Sequence, residues 1–470
     1  MPRIKEFRTS RVALGAIFAI SGIAMGAEIT NHVPVTFTKD VAPILQEKCQ
    51  DCHRAGAMAP MSLLTYQEAR PWAKSIKERV VTRQMPPWFL DKTVGIQHFS
   101  NDISLSDDQI AKIREWVDSG APMGDPKDMP PPKKFNDDGW KLESLMGHAP
   151  DMVIEGPDYS MPAHGQDQWF RPTTQIDLSE PRWVRAVEMR PSTQPGRKMF
   201  HHILANLYQD ETNAPSALVK VSLGNNSANF GAGGAGAGLL MEWAIGKGYD
   251  VYRPGTGKLL MPGARIRWEY HVHASGEEIR DHPQLAVYFY PKGETPKYRT
   301  YLTLFGATGN GGGSRLDIPP NSVTESQGFH VLKAAARLEN FQPHMHLRGK
   351  AMAMEAILPD GTVRTLSFVD HFNFNWMTNY IYADEDAPVL PKGTIVHIMA
   401  WHDNTTANPN NPDSNQWVGY GDRTVDEMAH AWVNVTYMTD DDYKEWAAQH
   451  KLGSTRTSIA SPDRAAEPAR

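Results

Sequence analysis

Cysteine is scarce in this sequence of 470 residues, which contains only two. Both lie in the run Cys49-Gln50-Asp51-Cys52-His53, so no thiol remains for a site elsewhere. A blue-copper centre needs a cysteine ligand, and a thiolate zinc site needs at least one. The sequence therefore excludes both kinds of site outside this run, and it excludes a disulfide that would staple the rest of the chain.

Positive charge is also in short supply. The 48 Lys and Arg are outnumbered by 54 Asp and Glu, which gives a formal net charge of -6. Because phosphate recognition relies on clustered Lys and Arg, we expect no nucleic-acid partner. The chain does contain 37 Gly and 35 Pro, and such abundance is typical of turn-rich β architecture.

Long apolar runs are absent after the N-terminus. Residues 12–26 form an apolar stretch behind a basic segment, residues 3–11, and small residues before position 28 offer a cleavage site. About 15 apolar residues are too few for a spanning helix, which needs roughly 20. The pattern predicts a signal peptide over residues 1–27, with a membrane anchor as the alternative. We expect an exported, periplasmic protein with no membrane span in the mature chain.

The cysteine run matches the C-x-x-C-H pattern of c-type haem attachment. In this pattern the thiols of Cys49 and Cys52 add to the haem vinyl groups, and His53 ligates the iron. The alternative, a disulfide or redox-active pair, would not require His53 at that place. Haem c is attached outside the cytoplasm, which agrees with export. We therefore expect one covalent haem c per chain.

The surroundings of this motif predict a small all-α cytochrome c domain. An apolar stripe from Phe37 to Leu45 predicts a helix that leads into Cys49. Ser106 and Gln109 have the spacing of a capping box and predict the start of a second helix.

Methionines near the motif are candidates for the sixth iron ligand. We favour Met85, because the following prolines stiffen its loop and because Met/His ligation raises the haem potential. Met58 and Met61 are alternatives that lie nearer the motif, and Met85 could instead fill the core.

The rest of the chain has a different character. Residues rich in Pro, Asp and Lys after position 121 predict a linker. Beyond it, short β-type runs such as 183–189, 266–271, 285–290 and 394–399 alternate with Gly, Pro and Asn turns. This alternation predicts antiparallel sandwiches.

Histidines form three patterns in this β-rich part. His201 and His202 are adjacent, His271 ends a β-type run, and His344 and His346 form an H-x-H in which both rings share one face of a strand. Each pattern is weak evidence by itself, because the chain has 18 histidines. We assign no site role to the others; His273 is an exception, since it could replace or assist His271.

In this order, and followed by Asp426-Glu427-Met428, the patterns resemble the copper type II, ascorbate-dependent monooxygenases. This family includes peptidylglycine α-hydroxylating and dopamine β-monooxygenases, and its bacterial branch has members fused to a cytochrome c. The stretches around Asp403-Asn404 and Gly421-Asp422 resemble that branch too.

The resemblance implies two jelly-roll domains, each with one copper, that face each other across a solvent cleft. His201, His202 and His271 would bind the electron-transfer copper. His344, His346 and Met428 would bind the catalytic, O2-reactive copper, because two imidazoles and a thioether favour Cu(I). The expected organisation is a signal peptide (1–27), a cytochrome c domain (28–125), a Pro-rich linker (126–148), two jelly rolls (149–298 and 299–445) and a tail (446–470).

The sequence departs from the family where the animal amidating enzymes bind a peptide carboxylate. Gln342 and Trp432 stand in place of the Arg and Tyr of those enzymes. Glycine-extended peptides are therefore not expected as substrates.

The function expected from the sequence is hydroxylation of a small organic molecule by a copper monooxygenase that uses O2. Electrons would enter through the haem from a periplasmic redox protein or an ascorbate-like reductant. The alternative is a periplasmic haem/copper electron-transfer or copper-binding protein without monooxygenase turnover.

Overall fold

A computed structural model describes residues 34–55, 57, 59–135, 139–211, 237–307 and 316–450. The predicted signal peptide, Met58 and the last 20 positions, 451–470, lie outside the described residues. Three parts follow one another along the chain, and we refer to them as the helical unit (34–146), the first β unit (152–289) and the second β unit (298–438).

Seven α-helices lie within the described ranges. They are α1 (Ala42–Lys48), α2 (Tyr66–Ala69), α3 (Ala73–Val81), α4 (Asp107–Asp118), α5 (Lys141–Met146), α6 (Gly196–Met199) and α7 (Asp440–Gln449). None of these helices has both the length and the apolar character needed to cross a bilayer.

Both helices predicted around the cysteine motif are present. A π-helical turn, Phe37–Val41, runs into α1, and α4 begins with the reciprocal capping bonds between Ser106 and Gln109. The buried side chains of α1, α3 and α4 share one hydrophobic core, which includes the fully buried Trp116.

The first β unit contains twelve strands among its described residues. They are β1 (Met152–Glu155), β2 (Tyr159–Met161), β3 (Gln168–Phe170), β4 (Thr173–Gln175), β5 (Arg182–Pro191), β6 (Phe200–Tyr208), β7 (Ala237–Ala244), β8 (Tyr249–Val251), β9 (Thr256–Leu260), β10 (Arg265–Val272), β11 (Ile279–Asp281) and β12 (Pro283–Phe289). One hydrophobic core joins residues 154–289.

The second β unit contains another twelve strands in its described part. They are β13 (Tyr298–Gly306), β14 (Asp317–Ile318), β15 (Val323–Val331), β16 (Ala335–Leu338), β17 (Asn340–Met345), β18 (Gly349–Ile357), β19 (Val363–Val369), β20 (Tyr380–Ile381), β21 (Val389–Leu390), β22 (Ile395–Asp403), β23 (Val418–Gly419) and β24 (Ala429–Met438). It has a hydrophobic core of its own.

Pairing within both β units is antiparallel, as the alternation of short strands and turns predicted. The order β3-β10-β6-β7-β13-β24 continues from the first unit into the second, because β7 pairs with β13 at Leu239 and Leu302. This continuous sheet brings β6 and β10 of the first unit into the same neighbourhood as β17 and β24 of the second.

The predicted linker is more structured than its composition suggested. It contains α5, whose Leu142 is 1% exposed and packs on Ala186, Ala286 and Tyr288 of the first β unit. The buried carboxylate of Glu188 accepts hydrogen bonds from the backbone N–H groups of Lys141 and Leu142 at the start of this helix.

One segment of the predicted cytochrome domain packs on the second β unit instead of the helical core. We call residues 88–102 the strap. Its Trp88 and Leu90 belong to the core of the second β unit, and Leu90 forms a β-bridge with Val369. The side chain of Asn101 exchanges hydrogen bonds with the backbone of residues 379 and 381. The strap therefore joins the helical unit to the second β unit.

Candidate metal centres

His201 and His202 reach the same place because β6 contains a β-bulge. Neighbouring side chains on a regular strand point to opposite faces. Here His202 pairs with His271 on β10, whereas Phe200 pairs with Val272, so that His201 is an extra residue. A bulge of this kind turns the side chain of the extra residue. The Nδ1 atoms of His201 and His202 are 3.2 Å apart.

With His271, these two residues form a cluster whose ring nitrogens lie within 4.8 Å of one another. His271 is 1% exposed, and its Nδ1 is buried with no hydrogen-bond partner among the described residues. Its Nε2 lies 3.1 Å from Oδ2 of Asp167. A carboxylate that holds one ring nitrogen and leaves the other free is the usual arrangement behind a metal-bound histidine. The cluster therefore fits a metal ion.

Electrostatics favour the neutral rings that metals bind. Burial, together with the neighbouring histidines, lowers the pKa of His201 to about 3 and that of His202 well below its usual value. The hydrogen bond from His271 is the main cause that lowers the pKa of Asp167 to about 2.

His273 lies outside the three-histidine cluster. Its ring centroid is 6.4 Å from that of His201, and it is absent from the group of converging ligand atoms. Of the two candidates at the end of β10, it is His271 that the structure brings together with His201 and His202.

His344 and His346 lie on and just beyond β17, with ring centroids 5.4 Å apart. They are 7% and 2% exposed. Nδ1 of His346 lies 3.0 Å from the carbonyl oxygen of Asp426, which leaves Nε2 of this ring for a metal. Burial also lowers the pKa of both imidazoles.

Met428 is held near these histidines by its neighbour Glu427. The fully buried carboxylate of Glu427 accepts hydrogen bonds from the backbone N–H of His346 at 2.9 Å and of Arg348 at 2.6 Å. His402 contacts the same carboxylate at 3.4 Å and the carbonyl oxygen of Met428 at 3.1 Å. The Asp-Glu-Met sequence thus ties its own loop to the H-x-H strand.

Arg348 fixes this loop from the other side. Its guanidinium donates to Val425 O at 2.9 Å and to Asn404 Oδ1 at 2.8 Å. The amide of Asn404 donates in turn to the carbonyls of Pro319 and Gln416. The stretch that begins at Asp403-Asn404 therefore helps to fix the loop that contains Met428.

The predicted ligands form two adjacent sets. The first set is His201, His202 and His271, and the second set is His344, His346 and Met428. The ring centroids of His202 and His344 are 6.0 Å apart, which leaves no open solvent cleft between these two rings. The ring of Phe374 stacks on His201 at 4.8 Å and lies 6.0 Å from His346. The expected separation by a solvent cleft is therefore not what the structure shows at this point.

The place of some residues in this region was not predicted from the sequence. His430 stacks on His344 at 4.6 Å and is its register partner across β17 and β24. His430 is the second residue of β24 and follows the predicted ligand Met428 by two positions, and this short spacing could have signalled its place near the site. Asp167 and His402 gave no such local signal, because their partners are far away in the sequence.

Gln342 and Trp432 are directly opposite each other in the β17–β24 pair. Gln342 is 1% exposed and donates through Nε2 to Oε1 of Glu242 at 2.8 Å, and Trp432 packs with Leu239 and Leu302. This arrangement offers no cation to a peptide carboxylate.

The cysteine motif lies in the helical unit, where neither cysteine forms a disulfide. Nδ1 of His53 is 3.3 Å from the carbonyl oxygen of Met61, so Nε2 remains for an iron. Burial raises the pKa of the Cys49 thiol to about 12 and raises that of Cys52. Reactive redox cysteines have lowered thiol pKa values instead, so this environment disfavours a redox-active pair.

Met85 is half-buried in the segment that follows α3, and it lines a small cavity of about 30 Å³ with Leu105 and Ile110. Met61 packs against the same hydrophobic core as Cys49. Both methionines therefore remain candidates for the sixth ligand position.

Comparisons with known proteins add little to this geometry. No family model and no curated protein matches the chain. Among solved structures, PNGase F, a glycosylasparaginase from Flavobacterium meningosepticum, shares 8% identity over 62% of this chain and 96% of its own, with a TM-score of 0.28. The major capsid protein P2 of bacteriophage PM2 shares 12% identity over 61% and 97%, with a TM-score of 0.24. At these TM-scores the similarities carry no argument.

Proposed function

We propose that this protein is a periplasmic copper-dependent monooxygenase that hydroxylates a small organic substrate with O2. The observation that carries the proposal is the convergence of His201, His202 and His271 beside His344 of the H-x-H strand. The reaction is R–H + O2 + 2 e⁻ + 2 H⁺ → R–OH + H2O. Copper, when bound, would supply one-electron transfer and the activation of O2.

The two sets differ in donor chemistry as this reaction requires. His201, His202 and His271 offer three imidazole nitrogens, which suit electron transfer. His344, His346 and Met428 offer two imidazoles and a soft thioether, which suit Cu(I). Asp167 would orient His271, and Glu427 would hold the Met428 loop against His346.

The charged neighbours of Cys52 include a residue that is close in sequence to the first set. The charges of Arg197 and Lys141 oppose the burial that raises the pKa of Cys52, so both side chains lie within electrostatic reach of its thiol. Arg197 belongs to α6, and the next strand along the chain, β6, begins with Phe200-His201-His202. This proximity supports electron entry from a haem on Cys49, Cys52 and His53 into the first set.

Metal and O2 measurements test the proposal. Protein loaded with copper should contain two coppers per chain and consume O2 when both a reductant and a substrate are present. Copper that binds without substrate-dependent O2 uptake would favour the electron-transfer or copper-binding alternative. A single bound copper would contradict the two-site mechanism.

The haem is tested separately. Cys49→Ser combined with Cys52→Ser should abolish covalent haem. Met85→Ala should change the axial-ligand spectrum, whereas Met61→Ala should not. The opposite result would assign the sixth position to Met61.

A further inference from the structure

A row of buried polar side chains leads away from the second set of ligands. Its members belong to neither histidine set, and all lie at the contact between the two β units. They are Gln342, Glu242, Lys247 and Asp250, which are 1%, 3%, 4% and 4% exposed.

Short distances connect the members. Gln342 Nε2 donates to Glu242 Oε1 at 2.8 Å, Glu242 Oε2 lies 3.9 Å from Lys247 Nζ, and Lys247 Nζ lies 3.5 Å from Asp250 Oδ2. Each residue also has a buried atom without a hydrogen-bond partner among the described residues. Buried polar atoms normally have partners, so these atoms fit contacts mediated by water.

The far end of this row of side chains, at Asp250, reaches a cavity of about 220 Å³. Tyr252, Arg253 and Asp384 are among the other residues that line it. The side chain of Asp384 is 76% exposed, so the lining of the cavity extends to the protein surface. Its volume is sufficient for several water molecules, each of which occupies about 30 Å³ in the liquid.

The near end adjoins the second set. Gln342 precedes His344 by two residues on β17. The two side chains therefore share a face of the strand, about 7 Å apart. Glu242 is held at this position by its hydrogen bond to Gln342.

Glu242 has the properties of a proton donor near neutral pH. Burial raises the pKa of its carboxyl to about 7, and Asp250 adds to this rise, while Lys247 and the hydrogen bond from Gln342 oppose it. Another buried cation close to Asp250 is Lys258, whose Nζ donates to the carbonyls of Leu239 and Leu240. A carboxyl with a pKa near the working pH transfers protons efficiently.

We propose that Glu242, together with water held by Lys247 and Asp250, carries protons from this cavity to the second set of ligands during the reduction of O2. The inference rests on the proposed monooxygenase function, which consumes two protons per turnover. Glu242 gives up its carboxyl proton to the reduced oxygen that becomes water, and its carboxylate then takes a proton back from water on the side of the cavity. Bulk solvent at the cavity supplies that proton through water molecules that Lys247 and Asp250 orient. Gln342 is a positioning residue.

The test compares Glu242→Gln with Glu188→Gln, which changes another buried glutamate whose partners are on α5. Hydroxylation by copper-loaded wild-type protein should decline as pH rises through 7, where Glu242 loses its proton. Glu242→Gln should lower the rate at least tenfold and remove this pH dependence, since proton transfer by a placed group typically contributes a factor of about 10² or more. Glu188→Gln should preserve both.

Infrared spectroscopy of metal-free protein supplies a readout besides activity. A carbonyl band of a protonated carboxylic acid should titrate near pH 7 and be absent in Glu242→Gln. Asp250→Asn changes the residue at the cavity and should also lower the rate. This variant keeps the proposal testable if Glu242→Gln fails to fold.

Two results separate the inference from the proposed function. Wild-type turnover that Glu242→Gln and Asp250→Asn leave within twofold, or the absence of the titrating band, would overturn the proton path alone. A copper-loaded wild-type protein that hydroxylates nothing while the band titrates normally would overturn the proposed function, and the use of the path with it.

Discussion

The first set of proposed ligands is positioned by strand pairing, whereas Met428 of the second set is positioned by a loop. His202 and His271 face each other across β6 and β10, and the bulge at His201 adds the third ring. Met428 instead precedes β24, in a loop that Glu427 fastens to the backbone of His346 and Arg348.

This difference indicates how each site would fail. The backbone ladder that places the first set survives the loss of one side chain, so a substitution there should remove a ligand and little else. The loop of the second set depends on a few buried polar groups. Removing one partner of such a group leaves the others desolvated and unpaired, which is costly.

The largest effect is expected from Glu427→Ala, because it leaves the buried backbone N–H groups of His346 and Arg348 without an acceptor and His402 without its carboxylate. The variant should lose about 3–5 kcal/mol of unfolding free energy, because each buried donor left without a partner costs about 1–3 kcal/mol. Denaturant unfolding measures this, and copper analysis should show that the second site is lost first. Asp426→Asn is the control, because that side chain pairs with the exposed Arg423. Equal effects of the two substitutions would show that the buried contacts of Glu427 are not what holds the Met428 loop.

The next effect is expected at the first set. His271→Ala should reduce copper from two per chain to one, with the fold preserved, because the strand pairing remains. His273→Ala should keep two coppers, because its ring is outside the converging cluster. Metal analysis after dialysis checks both variants, and retention of two coppers by His271→Ala would mean that His273 can replace it.

A smaller effect is expected from Asp167→Asn, which keeps the shape but weakens the orientation of His271. Affinity for copper at the first set should fall about 10–100-fold, as is typical for partners of metal-bound histidines. A competition titration with a chelator measures the change. Asp158→Asn, which alters a carboxylate paired with Arg280 and His282, should leave the affinity unchanged. An unchanged affinity in Asp167→Asn would show that the strands alone orient the ring.

A weaker effect is expected in the pH dependence of stability that comes from the contact between Asp167 and His271. The pKa of Asp167 is lowered to about 2 in the folded protein, so its contact stabilises the fold above the unfolded value of about 4. This contribution is lost as pH falls from about 4 through 2. The melting temperatures of metal-free wild type and Asp167→Asn should therefore converge over this range. A constant difference down to pH 2 would contradict it.

The smallest effect is expected from His430→Phe, which retains an aromatic ring against His344. Copper content should stay at two per chain, and copper affinity should change less than twofold, if Met428 is the third ligand. Loss of the second copper would make His430 a ligand and would replace Met428 in the proposed set. Met428→Ala is the matched comparison.

Several features could be predicted from the sequence because they depend on near neighbours. The capping box at Ser106 and Gln109 spans three residues, and α4 begins there. The β-type runs at 183–189 and 266–271 correspond to β5 and β10. Alternation along a strand placed the H-x-H rings on one side, and the order of the histidine patterns suggested which residues belong together.

Other features depended on contacts that no local pattern records. The strap lies within the predicted cytochrome domain, yet Trp88 packs against Tyr380. Asp167 is 104 positions from His271, and Glu242 is 100 from Gln342. The predicted linker forms α5, because Leu142 finds an apolar surface on the first β unit.

The sequence by itself determined the types of the proposed ligands: two thiols with a histidine, and imidazoles with a thioether. These follow from side-chain chemistry and short spacing. Only the tertiary structure decided that His271 and not His273 joins the cluster, that His202 faces His344 at 6.0 Å, and that Glu427 holds the Met428 loop. The physical reason is that strand register and buried hydrogen bonds join residues far apart in the chain, and a shift of one residue in register would turn these side chains to the opposite face.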